Sequence, residues 1–229
     1  MPPVMSSENI ARPVGQARAE ALTAGHAVLR NTYLLLGMTL VFATITASVT
    51  AALRLPYPGL VITLVGYFGL LFATSKLRNS NWGLLSAFAL TGFMGYTLGP
   101  IISAYLATPR GTETVATAMG ATAVVFLGLS AYARSTRAVN MLKLGTFLFV
   151  GILTAFVLGL AAIFFQMPAL SLAVSGLFVL LMSGLIVYET QNIISGGETN
   201  YIMATIGLFV AIFNLFTSLL HLLGVGSDE

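Results

Sequence analysis

One carboxylate in this sequence lies where a charge is hard to accommodate. Residues 169–188 contain no charged side chain, and Glu189 follows directly after them. A lone charge at the centre of a bilayer costs on the order of 3 kcal/mol on insertion scales, and the C-terminal end of a helix already carries a partial negative charge. Two interpretations are open: Glu189 is a solvated carboxylate that marks the end of a helix, or a cation from a neighbouring helix pairs with it.

The sequence contains two candidate cations for such a pair. When residues 58–71 are shifted by 110 positions onto 168–181, six of the fourteen positions are identical, which suggests an internal repeat. In this alignment position 189 corresponds to the residue after Arg78, so that Arg78, or else Lys76, is expected at the depth of Glu189. Such a pair would form a latch on an ion pathway, and protonation of the carboxylate would release it.

The apolar segment "GFMGYTLGPII" contains Gly95, Gly99 and Pro100. Two glycines four positions apart allow helix backbones to approach closely, which predicts tight packing against a neighbouring helix. Proline removes a backbone hydrogen bond in the middle of a helix and kinks it. The alternative interpretation is a helix break at these residues that lines a cavity or a gate.

Asn214 lies near the middle of the last apolar stretch, in "VAIFNLFTSLL". A side-chain amide in lipid needs a hydrogen-bond partner, so we expect Asn214 to face the interior of the bundle. It either forms a single hydrogen bond to another helix or lines a pathway through the protein.

The segment "SGGETNY" precedes this last stretch. Gly196 and Gly197 are predicted to end one helix, because glycine adopts the left-handed conformation found after helix C-termini. Thr199 or Asn200 is predicted to cap the next helix.

The sequence also argues against several classes of site. It includes no Cys, and its two His, at positions 26 and 221, are far apart, so no metal site is expected. No pair of nucleophile and base, metalloprotease motif or nucleotide-binding fingerprint is present. We therefore expect no enzyme activity and no cofactor. Nucleic acid is not expected as a partner either, because no basic patch is interleaved with aromatic residues.

The composition identifies the solvent of the protein. Hydrophobic residues make up 57% of the 229 residues and charged residues only 7%, with a mean hydropathy of +0.94. A soluble globular protein carries about 25% charged residues, so the solvent of this chain is a lipid bilayer. Seven apolar stretches each approach the roughly 20 residues that cross a bilayer as a helix; they are residues 32–53, 59–75, 83–107, 114–133, 144–165, 169–188 and 202–223. The predicted fold is therefore all-α, a polytopic bundle of seven transmembrane helices.

The two ends of the chain are more polar than this domain. Residues 1–29 predict a flexible tail that becomes helical near the membrane, residues 30–224 form the transmembrane domain, and residues 225–229 are a short outer tail. In this topology eight of the ten Lys and Arg residues lie on the side of the N-terminus, and only Arg54 and Arg110 lie on the other. Because cytoplasmic loops are enriched in positive charge, the N-terminus is expected in the cytoplasm and the C-terminus in the periplasm.

Four segments carry a family resemblance: "VLRNTYLLLGMTLVFATITA", "LTGFMGYTLGPIISAYL", "YETQNIISGGETNYIMAT" and the Asn-Leu-Phe of the last helix. They resemble the Bax inhibitor-1 family, most closely its bacterial YccA-like branch, and the resemblance extends from about residue 25 to residue 225. It implies a multi-pass protein of the bacterial inner membrane. It also implies that three helical hairpins surround the seventh helix.

The resemblance implies two alternative functions. Members of the YccA-like branch modulate the membrane-anchored, ATP-dependent protease FtsH, so the chain is expected to bind FtsH and to act in membrane protein quality control. Other members resemble pH-sensitive calcium leak channels, in which an Arg of helix two latches an acid of helix six and a second acid lies on helix seven. Glu189 matches the first acid and Arg78, or alternatively Lys76, matches the latch, whereas Ala211 replaces the second acid. This substitution weakens the calcium or proton pathway and favours the regulatory function; a structural protein without a transported ligand is a third interpretation.

Overall fold

A computed structural model describes residues 14–135 and 141–226 of the chain. The regular structure of these residues is helical throughout and consists of α1 (Val14–Ala52), α2 (Leu60–Leu77), α3 (Asn81–Leu106), α4 (Gly111–Ser135), α5 (Met141–Phe164), α6 (Pro168–Ile194) and α7 (Tyr201–Gly226). Each helix contains a segment that is long and apolar enough to cross a membrane. The prediction of an all-α bundle with seven membrane-spanning helices is confirmed.

The first helix extends beyond its membrane-spanning part. The apolar span of α1 begins at Ala27, whereas the helix itself begins at Val14. Residues 14–26, here called the α1 arm, therefore continue the helix by about 20 Å at 1.5 Å per residue. Part of the predicted tail 1–29 is thus helical, and residues 1–13 of that tail lie outside the described part of the chain.

α7 is the central helix of the bundle. It packs against α1, α3, α4 and α6, and 50% of its most hydrophobic segment is buried. α2 lies at the periphery, because it packs mainly against α3 and only 6% of the corresponding segment is buried. A central seventh helix agrees with the arrangement that the family resemblance implies.

The contact between α1 and α3 depends on glycine. A Cβ atom added at Gly95 would lie 2.9 Å from the Cα atom of Ala43, and one added at Gly99 would lie 2.7 Å from the carbonyl oxygen of Ala47. At Gly95 the two backbones therefore touch with no side chain between them, and at Gly99 the α1 backbone and the Thr50 side chain both lie against α3. α3 continues without interruption through Pro100, so the structure favours the packing interpretation of these residues over a helix break.

The turn between α6 and α7 follows the predicted pattern. α6 ends two residues before Gly196, which has a positive φ of 76°, a conformation that glycine adopts without steric cost. Of the two predicted capping residues, Asn200 caps α7. Its Oδ1 accepts hydrogen bonds from the backbone N–H groups of Ile202, at 3.0 Å, and Met203, at 3.1 Å.

Candidate functional site

The candidate site lies where α6 ends and α7 begins, at what we call the Glu189 end of the bundle. Glu189 is on the last turns of α6 and is half-buried, with its side chain directed at α7. A Cβ atom added at Gly207 of α7 would lie 2.8 Å from both Cδ and Oε1 of Glu189. The carboxyl group therefore rests against the bare backbone of α7, in space that a larger residue at position 207 would fill.

The structure does not bring Glu189 and its expected cations together. Among the residues that it describes, no Lys or Arg forms an ion pair with Glu189. Arg78 is the exposed residue directly after α2, and the Lys76 Nζ lies over the ring of Phe72, 5.4 Å from its centroid. The reason is helix packing, since α2 packs mainly against α3 and α6 packs against α7, α5, α4 and α1. Helices α2 and α6 therefore do not form a close pair in this structure, and the latch between Glu189 and Arg78 or Lys76 stays a prediction.

The side-chain amide of Asn200 connects the turn between α2 and α3 to the start of α7. The Nδ2 of Asn200 donates to the backbone carbonyl of Arg78, at 3.0 Å, and to the Oδ1 of Asn79, at 3.0 Å. The backbone N–H of Asn200 donates to the Oε1 of Glu198 at 2.7 Å. Because Oδ1 of the same side chain caps α7, Asn200 ties the start of α7 to the end of α2. Arg78 takes part through its backbone and not through its charge.

Asn214 faces a cavity. Its Nδ2 donates to the carbonyl of Val210 in its own helix, at 2.8 Å, so the hydrogen bond expected to another helix is not formed within the described residues. The cavity has a volume of about 390 Å³ and lies between α2, α3, α5, α6 and α7, with mostly aromatic and aliphatic walls. Glu189 is not part of these walls, so the two residues do not line the same space.

Position 211 of α7 supplies no second acid to the site. Ala211 is completely buried in α7, in the same apolar cluster as Ile186 and Leu215. In the described part of the chain, no three side chains of His, Cys, Asp or Glu are grouped so that they could hold a metal ion. The site thus holds two half-buried acids, Glu189 on α6 and Glu198 in the turn before α7, and neither of them comes from position 211.

Sequence reasoning missed a set of buried polar side chains near the same end. Side-chain polar atoms of five residues are buried without a hydrogen-bond partner among the described residues: Thr32, Tyr33, Ser130, Thr190 and Gln191. Hydroxyl residues in membrane helices commonly bond to their own backbone, as Thr74 does to Leu70 at 2.8 Å. Residue type therefore gave no signal, and only the positions of the helices relative to one another distinguish these residues.

The bundle and its sequence place the chain in a known class of membrane proteins. The family model described as "Inhibitor of apoptosis-promoting Bax1" matches residues 25–228, so the chain belongs to this family, the Bax inhibitor-1 family. It is 51% identical over 209 residues to the modulator of FtsH protease YccA of Escherichia coli strain K12, with 91% of this chain and 94% of YccA covered.

Two further relatives extend this similarity to other bacteria. An uncharacterized protein of Pseudomonas aeruginosa is 52% identical over 203 residues, with 88% of this chain and 91% of the relative covered. An uncharacterized membrane protein of Vibrio cholerae is 43% identical over 203 residues, with the same shares covered.

Proposed function

We propose that the protein is an integral regulator of the inner membrane that binds FtsH, the membrane-anchored ATP-dependent protease, and modulates its action on membrane proteins. The similarity to the Escherichia coli modulator carries this proposal, because 51% identity extends over 94% of that protein. A second Escherichia coli relative, also 51% identical, is named inner membrane protein YccA, which supports the location.

The Glu189 end is proposed to face the cytoplasm. Eight of the ten Lys and Arg residues belong to segments at this end, and cytoplasmic loops are enriched in these residues. Because ATP is supplied in the cytoplasm, the regulator and this ATP-dependent protease would meet at this end.

The α1 arm is the proposed contact with the protease. It continues α1 beyond the membrane span by residues 14–26, whereas the turns that connect the other helices at this end are short. A helix of about 20 Å outside the apolar span can be reached by a protein that is itself anchored in the membrane.

Affinity purification from native membranes tests this proposal. The full chain, tagged at its C-terminus, should recover FtsH, and so should a variant that lacks residues 1–13. A variant that lacks residues 1–26 should recover much less FtsH. Its elution profile in size-exclusion chromatography should match that of the full chain, which would show that its bundle is folded. Recovery of no FtsH with the full chain, together with unchanged half-lives of FtsH substrates in a deletion strain, would contradict the proposal.

One observation favours the alternative, a calcium leak: Glu189 is a half-buried acid without a cationic partner among the described residues. Purified protein in liposomes should then pass Ca²⁺, and Glu189→Gln should slow the flux. A flux equal to that of empty liposomes between pH 6 and pH 8 would exclude the leak and leave the regulatory function in place.

A further inference from the structure

Two of the unpartnered hydroxyl groups belong to α1 and α4, which contact each other through the ring of Tyr33. The ring of Tyr33 lies 6.0 Å from the ring of Phe126, between centroids, and 4.9 Å from the Cζ of Arg134. Ser130 lies one helical turn from each of these α4 residues and on the same face of the helix. Its side chain is 4% exposed, so the Ser130 hydroxyl is buried beside Tyr33.

Thr190 reaches the same region from α6. It is completely buried and shares one face of α6 with Ile186 and Ile193, which are completely buried as well. Phe126 packs against the apolar clusters that contain these two isoleucines. This face of α6 and Phe126 of α4 thus border the same apolar clusters, and α6 packs against both α1 and α4. We call Tyr33, Ser130 and Thr190 the hydroxyl seam.

The hydroxyl seam has unmet hydrogen-bonding capacity. None of its three hydroxyl groups has a partner among the described residues. Burying a hydroxyl group without a partner costs more free energy than an ordinary hydrogen bond contributes to stability. Several such groups would strongly destabilise the bundle. Thr122, which is also buried on α4, shows the usual solution, since its Oγ1 donates to the Ala118 carbonyl at 2.7 Å.

The chemistry of the seam selects a small neutral partner. Each hydroxyl can both donate and accept a hydrogen bond, which matches a water molecule and gives no preference for a charged ligand. Internal waters occupy sites where they make about three hydrogen bonds to otherwise unpaired polar groups. Thr32 and Gln191, which adjoin Tyr33 and Thr190 in the sequence, add further unpartnered buried atoms.

We propose that the hydroxyl seam binds a cluster of internal water molecules that is shared by α1, α4 and α6. The exposed Arg134 lies beside Tyr33 at the Glu189 end, so water reaches the seam from that end of the bundle. Thr190 directly follows Glu189 in α6, so the proposed cluster adds polar groups to the Glu189 end of the bundle.

Isosteric substitutions in the full chain, reconstituted in lipid nanodiscs, test the proposal. Thr190→Val removes the hydroxyl and keeps the shape. If Thr190 binds water, this variant should lower the Tm by roughly 4 °C, because the bound water loses a hydrogen-bond partner. A chain of this size loses about 2–4 °C of Tm for each kcal/mol of destabilisation. Thr122→Val is the matched control, and its Tm should change by less than about 2 °C because it gives up only a bond to its own helix.

A second substitution tests whether the water is shared. Tyr33→Phe should also lower the Tm, and the double variant should lose less than the two single variants together, because both remove bonds to the same cluster. A Tm equal to or above that of Thr122→Val in both single variants would overturn the proposal, since removal of an unhydrated, unpartnered hydroxyl is stabilising. Strictly additive losses would overturn the shared site.

Discussion

α1 meets its neighbours in two different ways, and the difference shows what holds this bundle together. Against α3 it meets the bare backbone of Gly95 and Gly99, which leaves no space for water or for a methyl group. Against α4 it places the ring of Tyr33 beside Phe126, and the hydroxyl groups of Tyr33, Ser130 and Thr190 have no partner among the described residues. Helices in lipid associate through packing and hydrogen bonds and not through the hydrophobic effect. The glycine interface uses the first of these forces and the hydroxyl seam the second.

The largest effect is expected at the glycine interface. In Gly99→Val the new side chain would collide with the Thr50 hydroxyl and lie against the Ala47 carbonyl, so α1 and α3 must separate at a cost of about 3 kcal/mol. Thermal unfolding in detergent measures this loss. Gly120→Val on α4 is the control, since no atom lies within 4 Å of its added Cβ. Equal stability of the two variants would show that α1 and α3 do not touch as described.

The next effect is expected at the turn that Asn200 ties to α7. Asn200→Ala removes the cap of α7 and both bonds to the turn between α2 and α3, for a loss of about 2 kcal/mol. Hydrogen exchange in the first turn of α7 should rise accordingly. Asn79→Ala removes only one of these bonds and should cost less than about 1 kcal/mol. A larger loss for Asn79→Ala than for Asn200→Ala would contradict the assigned roles.

A smaller effect is expected where Glu189 meets α7. Alanine is favoured over glycine inside a helix by about 1 kcal/mol, but a methyl group at position 207 would contact the carboxyl group of Glu189. Gly207→Ala should therefore fail to stabilise the protein, whereas the same change should stabilise the Glu189→Ala variant by about 1 kcal/mol. The measurement is chemical unfolding of the four proteins. Equal effects of Gly207→Ala in both backgrounds would show that the carboxyl group of Glu189 does not contact Gly207.

The sequence predicted the elements of this fold better than their contacts. Apolar length and turn residues predicted all seven helices and the ends of α6 and α7, because backbone hydrogen bonds in lipid and glycine conformations are local requirements. The partner of Glu189 was not predictable in this way. α2 is apolar on all sides, so its sequence does not reveal that it packs mainly against α3.

The hydroxyl seam escaped prediction for a related reason. Tyr33, Ser130 and Thr190 come from three helices, and each residue alone is common in a membrane helix. Their meeting depends on how each helix is rotated about its axis, a property that the depth of a residue in the membrane does not determine. The glycine spacing of α3, in contrast, is a signal within one helix, and the structure favours the packing predicted from it.

A double-mutant cycle between Glu189 and Arg78 tests most directly whether the backbone of α7, and not the cation at the end of α2, accommodates the half-buried acid. Arg78→Ala leaves in place the carbonyl that Asn200 binds, and Glu189→Gln keeps the size of the side chain. The changes in unfolding free energy of the two single variants, each relative to the unchanged protein, should sum to the change in the double variant within about 0.5 kcal/mol. A coupling of 1 kcal/mol or more would show that the two side chains pair, and it would contradict this account.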